Sequence, residues 1–497
     1  MTPARSLYNV AEVRAIERAA LAAAPAGALM RRAGAAAAEL AAQLLPGGGR
    51  LLAIAGPGNN GGDALEAATL LASRGWNVTI DFRGKPAALS ADAADALRRA
   101  QASAAQFGQA DMADAWDLVL DGLFGIGLAR PIAGELAELV RAVNRLRCPV
   151  LALDVPSGLD ADTGAIVGPD GAAIRASHTL TFIADKPGLH TADGCDHAGL
   201  VEVASLDIPP ALFPAPAAWL AGIDLFAASL HPRRQNSHKG SFGDVAILGG
   251  AQGMSGAAIL AARTAALSGA GRVFAGFLAE PPAYDPPHPE IMCRRAADLD
   301  LEQAAVVAGP GLGSSGQARS MLSQVLAGAA PLVLDADALN MVAAGVDLRS
   351  ALSRRSGALL TPHPLEAARL LGCSAAQVQA DRLAAARRLA ADFGAVVVLK
   401  GAGSVIAHPD GLAVINITGG PALATAGTGD VLAGLCGALL AQRWPAWEAA
   451  LAAVWLHGAA ADMLVDQGVG PVGLVASELP RMVRTCLNRL IRAAADH

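Results

Sequence analysis

Short apolar runs alternate along the chain with segments in which apolar residues recur at helical intervals. In the first half the runs are LLAIA, NVTIDF, DLVLD, PVLALD and HTLTFI. In the second half they are DVAILGG, RVFAGFL, AAVVAG, PLVLDAD, AVVVLKG and LAVIN. Runs this short and apolar at successive positions predict strands buried on both faces, and the helical segments predict the layers that cover them. The pattern is that of a mostly parallel α/β sheet, met twice. Between the two series lies PPALFPAPAAWL, rich in proline and without a period, which predicts a domain boundary near residues 209–222. The expected domains are residues 1–215 and 224–497. No repeat of fixed period is visible.

Composition narrows the class. Hydrophobic residues make up 53% of 497, much of that alanine, yet no run of about 18 apolar residues free of charge and proline occurs, so no membrane span is expected. The early AALAAAPAGALM follows Arg5, Glu12, Arg14, Glu17 and Arg18, whose spacing suits an amphipathic helix better than a leader. A cytoplasmic enzyme is expected. A net charge of −6 without a long basic run argues against nucleic acid as the partner. The six cysteines show no CxxC and no zinc-type spacing, and read as small buried side chains. Lysine is scarce: only Lys85, Lys186, Lys239 and Lys400 occur among many arginines, which suggests sites where a compact charge is needed.

Polar residues gather at the predicted strand ends, where ligands sit in open parallel sheets. GPGNNGGDA, Gly56 to Ala64, carries more glycine than a turn requires, so its backbone is expected to approach something closely, with Asn59, Asn60 and Asp63 aimed at a ligand. Neither a GxGxxG fingerprint nor a P-loop is present. Asp121 ends a second strand, before the close-approach loop of Gly125 and Gly127; Asp154 and Ser157 follow a third, and Lys186 a fourth. Amide and hydroxyl oxygens beside Asp121 suit a hard, weakly hydrated cation. Asp154 and Lys186 are candidate acid/base partners, since opposite charges at a rim tune each other.

Taken together, GPGNNGGD, LDGLFGIGLAR, DVPSGLDADTG and DKPGL resemble the NAD(P)H-hydrate epimerase family. The resemblance implies a Rossmann-like three-layer domain that interconverts the R and S forms of hydrated NADH or NADPH. It implies substrate contacts at Asn59, Asn60, Gly61, Gly62 and Asp63, at Gly125, Ile126, Gly127, Leu128, Ala129, Arg130 and Pro131, and at Asp154. A potassium ion is expected near Asn60, Asp121 and Ser157, with Asp154 as the acid/base. Ala64 stands where the family usually has glycine, and the helix is expected to begin there.

The second half opens with HKGSFGDVAILGGAQGMSGAA, whose small residues let a ligand lie against the first helix. VVAGPGLG and VLDADALN supply glycine- and aspartate-bearing strand ends, and TPHP holds His363 between prolines. Lys400 leads a turn of small residues. Gly427, Thr428 and Gly429 can expose successive N–H groups at a helix start, an anion site, and Asp430 follows directly. A cradle plus an adjacent carboxylate is what phosphoryl transfer needs.

These motifs, with LKGAGS and ATAGTGDVLAG, resemble the ADP-dependent NAD(P)H-hydrate dehydratases of the ribokinase-like superfamily. The resemblance implies that Ala257, Gly311, His363 and Asp430 contact the hydrated nucleotide. Lys400, Gly401, Ala402, Gly403, Ser404 and Gly429 would hold ADP, and Mg²⁺ would bridge its phosphates. Leu365 replaces a usual glycine and Ser404 a usual threonine; Lys239, in the opening motif, has no assigned role. A homo-oligomer is expected. Two rival readings stay open: a vitamin-precursor or sugar kinase in the second half, and a binding scaffold in the first.

Overall fold

The computed structural model describes residues 3–113 and 115–495. They form two compact units, residues 6–218 and residues 219–497, the latter joined by the described residues up to Arg5. The division falls within the proline-rich stretch.

In the N-terminal unit the chain begins its sheet with Arg50–Ala55, works outward through Asn77–Phe82 to Gln106–Phe107, then returns to the other side. From there it adds Leu118–Gly122, Val150–Leu153, His178–Phe182 and Leu200–Ala204 in order, all parallel. Successive side chains of the first strand serve opposite cores: Leu51, Ala53 and Ala55 join one apolar cluster, Leu52 and Ile54 another. That is the period of two, buried on both sides, and it makes the unit a three-layer, Rossmann-like sandwich.

The strand order reverses between Arg50–Ala55 and Leu118–Gly122, and the excess glycine of the opening stretch sits there. A Cβ on Gly56 would stand 1.7 Å from the Leu123 carbonyl oxygen, and one on Gly61 would stand 2.0 Å from that of Gly56. Close backbone approach is therefore obligatory. The helix, however, begins at Asn59 and not at Ala64: Asn59–Ser73 is continuous, so Asn59 to Asp63 form its opening turns. Ala64 lies inside it, fully buried against Gly122. Local glycine content reads as loop, but helix packing across the switch point overrides it.

The C-terminal unit repeats the plan. Its sheet starts at Asp244–Gly249, extends through Arg272–Phe277 to Met292–Arg295, then resumes on the other side. Ala304–Ala308, Leu332–Leu334, Ala358–Leu360 and Val396–Leu399 follow in parallel. Val405–Ala407 and Ala413–Ile415 then continue that side as antiparallel strands. Among the described residues seven strands were not expected from the sequence: Arg5–Leu7, Gln106–Phe107, Leu200–Ala204, Ala218–Leu220, Met292–Arg295, Ala358–Leu360 and Val405–Ala407, each only two to five residues long. The helix Ala446–Asp466 has the length and composition to cross a membrane but carries Glu448, Asp462 and Asp466 and is largely buried in the core of this unit.

Candidate active sites

In the N-terminal unit the carboxyl ends of the strands open onto a cavity of about 870 Å³. Asn59, Asn60 and Asp63 line it from the helix start, Gly125 to Pro131 from the next loop, and Asp154 from the strand after that. Gly61 and Gly62 do not line it; Gly61 packs on Gly56 and Gly62 against Met30. Both glycines serve helix packing.

Asp154 is held in an unusual backbone state, φ 65°, in the left-handed region. Its own N–H donates to the Leu180 carbonyl, and Val155 N–H to that of Leu153. Ile183, at the end of the neighbouring strand, repeats the device with φ 71°, and it too lines the cavity. For a β-branched residue this is a genuine outlier, and such strain persists where surrounding structure enforces it, commonly at functional sites. The carboxylate of Asp154 accepts from Ile126 N–H at 3.1 Å and pairs with Lys186 Nζ at 3.0 Å. A Cβ on Gly125 would stand 2.7 Å from Asp154 Oδ2, which is why that loop position is glycine.

Lys186 is fully buried and does not line the cavity. Besides Asp154, its ammonium donates to Thr181 Oγ1 at 2.6 Å and to the carbonyls of Phe182 and Ala184 at 3.0 and 3.1 Å. Its protons are committed. Expected as a rim partner, it instead stands behind Asp154 and fixes it.

Deeper still, Asp121 is completely buried. Its carboxylate accepts Ser157 Oγ–H at 2.6 Å, Ser157 N–H at 2.9 Å and Leu123 N–H at 3.2 Å. Burial pushes its pKa up to about 6 despite these bonds. Asn60 is also buried, and neither atom of its amide has a hydrogen-bond partner. A buried orphan amide is costly, so the site calls for an occupant. Missing from the sequence reading is Glu17, which lines the cavity from the first helix.

In the C-terminal unit the groups converge around one lysine. Lys400, leaving Val396–Leu399, pairs with Asp335 at 2.7 Å; Asp335 ends Leu332–Leu334 and is itself buried. Gly429 completes the corner, since a Cβ there would stand 3.4 Å from Lys400 Nζ. The helix Thr428–Ala441 starts without a side-chain cap, so its first N–H groups stay available for an anion. Burial pushes the Asp430 carboxyl up to about 6, with the Asp335 charge adding to it. Burial alone would lower Lys400, but Asp335, Glu366 and Asp430 outweigh it and hold its pKa up.

His363 caps the helix Pro364–Leu371. Its Nδ1 accepts from the N–H groups of Leu365 and Glu366 at 3.1 and 3.3 Å, and its Nε2 lies 3.1 Å from Glu366 Oε1. The ring is held by these capping bonds. Leu365 is half exposed beside it. Gly311, φ 60°, packs on Ala257, where a Cβ would stand 3.3 Å from the alanine's. Ser404 uses its hydroxyl to close the Lys400 turn, accepting from Gly401 N–H at 3.2 Å and donating to its carbonyl at 3.1 Å. Threonine could do no more there.

Two further groups brace this corner. Arg382 is fully buried and donates from Nη2 to the Leu399 and Lys400 carbonyls, both at 3.2 Å, and from Nη1 to Gln379 at 2.6 Å. His457, driven by burial to a pKa of about 4, bonds the Thr428 backbone. Neither shows in the sequence, where an arginine and a histidine on helices look ordinary. Lys239 is exposed and just precedes Asp244–Gly249, at the end of the strands opposite these groups.

Fold and sites together define the class: a two-unit α/β enzyme, with a Rossmann-like unit bearing a carboxylate-lined cavity and a ribokinase-like unit bearing an anion cradle. The family described as YjeF-related protein N-terminus matches residues 26–188, and that described as NAD(P)H-hydrate dehydratase matches residues 245–481. The bifunctional NAD(P)H-hydrate repair enzyme Nnr of Escherichia coli is 38% identical over 88% of this chain and 85% of its own. That of Coxiella burnetii is 37% identical over 97% of this chain and 99% of its own. The ADP-dependent (S)-NAD(P)H-hydrate dehydratase of Neisseria meningitidis is 46% identical over 52% of this chain and 90% of its own. The chain belongs to the bifunctional NAD(P)H-hydrate repair enzyme family.

Proposed function

We propose that the chain repairs hydrated NADH and NADPH, its N-terminal unit interconverting the R and S epimers and its C-terminal unit dehydrating the S form at the expense of ADP. The observation that carries this is the presence of both kits in one chain: the Asp154–Lys186 pair at a cavity, and Lys400, Gly429 and Asp430 at a helix start. Coupling makes chemical sense. Hydration at C6 of the nicotinamide ring yields two epimers, and a dehydratase that accepts one needs the other converted.

In the epimerase, Asp154 would exchange protons with the C6 hydroxyl, and Lys186 is a positioning residue that works through it. Asn60, Asp121 and Ser157 would hold a potassium ion. What supports that is the buried Asn60 amide, neither atom of which has a hydrogen-bond partner. A cation would supply compensating positive charge at this wall of the cavity.

In the dehydratase, Asp430 would take the proton from the C6 hydroxyl as it attacks the terminal phosphoryl group of ADP. The phosphate ester then leaves as inorganic phosphate while the ring nitrogen forms C=N⁺, loss of a proton from C5 restores the ring C=C bond, and AMP is the other product. Main-chain N–H groups of the Gly427–Gly429 turn would stabilise the transferring charge, and Lys400 to Ser404 would hold the nucleotide. Oxygen donors at Asp335 and Asp430 fit Mg²⁺, which would neutralise phosphate charge when bound. The relative's ADP dependence supports ADP as the donor. A kinase would use the same cradle, but the dehydratase family match favours dehydration. A scaffold has no use for a buried ion pair at a strained aspartate.

The test is to supply the mixed epimers with ADP or ATP and follow recovery of dihydronicotinamide absorbance. With ADP, AMP and phosphate should appear in equal amounts with the NADH regenerated; with ATP, ADP takes the place of AMP. Recovery with ADP but without AMP would overturn the phosphoryl-transfer route.

A further inference from the structure

We infer that Glu17, on the first helix of the N-terminal unit, is the second proton-transfer group of the epimerase cavity, working together with Asp154. This rests on the epimerase reading above and goes beyond it, for Glu17 lies outside the matched family region, which begins at residue 26.

Inverting a carbon that bears a hydroxyl and a ring nitrogen requires one bond to that carbon to break and re-form. If the C6–O bond breaks, its electron pair leaves on oxygen, which takes a proton and departs as water. The nitrogen lone pair meanwhile forms C=N⁺. Water then adds to the opposite face and gives up a proton. One water leaves and one enters, so composition is unchanged. Two proton-transfer groups are needed, one toward each face of the ring, and they exchange roles in the reverse direction.

Asp154 is one. Lys186 cannot be the other, because it is buried and its ammonium is already bonded to Thr181 Oγ1 and two carbonyls in addition to Asp154. The helix Val10–Leu21 supplies the candidate. Val13, Arg14, Glu17 and Leu21, at helical spacing, form the face that lines the cavity. The helix is fixed at its start: Asn9 and Glu12 form a capping box, and Val10 N–H donates to Asp162 at 2.7 Å. Among the described residues none hydrogen-bonds the Glu17 carboxyl, so it is not spent on holding structure. Burial first, and the Asp154 charge second, push its pKa up, which favours the proton-holding form opposite an ion-paired carboxylate. Asp63 also lines the cavity, from the helix Asn59–Ser73, and the substitutions below separate the two carboxyls.

The experiment uses the full chain and the separated epimers. R-to-S conversion is read through the chain's own ADP-dependent dehydration, and S dehydration is read directly. Glu17→Gln should lower kcat for epimerisation by about 10²-fold with KM nearly unchanged. Glu17→Asp should recover part of that rate, and S dehydration should stay at wild-type rate in both. In heavy-oxygen water the S product should carry solvent oxygen. Wild-type epimerisation by Glu17→Gln would overturn the inference, as would a rise in KM alone, or loss of rate in Asp63→Asn but not Glu17→Gln. Retention of the original oxygen would overturn the route. If the wild-type chain epimerises nothing, the epimerase reading itself fails, a result distinct from any of these.

Discussion

At the switch point of the N-terminal sheet Gly56 lies against the Leu123 carbonyl, and at that of the C-terminal sheet Gly249 lies against the Pro310 carbonyl. A Cβ on either would stand within 2 Å of that oxygen, 1.7 Å in one and 1.9 Å in the other. The backbones are brought together by the same means, yet the sites built on them differ. The N-terminal cavity is lined by Glu17, Asp63 and Asp154, and its lysine is buried behind one of them. The C-terminal corner brings its lysine forward between Asp335 and a main-chain cradle. A polyanion needs exposed N–H groups and a cation, whereas a neutral hemiaminal carbon needs proton donors and acceptors. One chassis thus serves two chemistries through where the lysine sits.

The comparison holds only if the sites act separately, and the largest test is Asp430→Asn. S dehydration should fall by about 10³-fold, while nucleotide binding, shared by the Gly427–Gly429 main chain and Lys400 to Ser404, largely persists and epimerisation is untouched. AMP release measures the first and R-to-S conversion the last. Loss of both would break the separation.

Asp154→Asn is the reciprocal change, expected to slow epimerisation by about 10²-fold with S dehydration intact. It also leaves the Lys186 ammonium buried without its carboxylate, a loss of about 3–5 kcal/mol. The N-terminal unit should therefore unfold at lower denaturant than before, with the C-terminal transition unmoved. An unchanged transition would mean that Lys186 is not tied to Asp154.

Acidity should separate the sites further. With Asp430 raised to about 6, its base form accumulates only on the alkaline side of that value. The kcat/KM for dehydration should fall about tenfold per pH unit below it. A rate that stays flat through that range would remove Asp430 as the base.

The smallest expected effect sharpens the nucleotide side. Arg382→Lys replaces a planar donor that spans two carbonyls, and KM for ADP should rise about tenfold with kcat and epimerisation little changed. An equal loss of kcat would make Arg382 part of the transition-state machinery instead.

Much of this was legible from residue order. Apolar runs located the long strands, and the polar residues after them identified Asp154, Lys186, Lys400 and the Gly427–Asp430 turn, because a strand end and the turn after it are local features. Local signals failed where packing outweighed them. Asn59 opens a helix although glycines crowd its stretch, and strands as short as Ala358–Leu360 take their pairing from neighbours rather than from their own length. Partner choice was out of reach altogether. Asp335 and Lys400 are 65 residues apart, and sheet order makes them meet. Arg382 looks like any helix arginine until its guanidinium is found between two carbonyls, and Glu17 looks like a solvated charge until its helix is laid along the cavity. Sequence by itself determined which backbone ends carry polar and charged residues, since strand and turn preferences act over a few residues. Which side chains face one another there depends on register and helix docking, which are set by burial over the whole unit, so only the tertiary structure decided it.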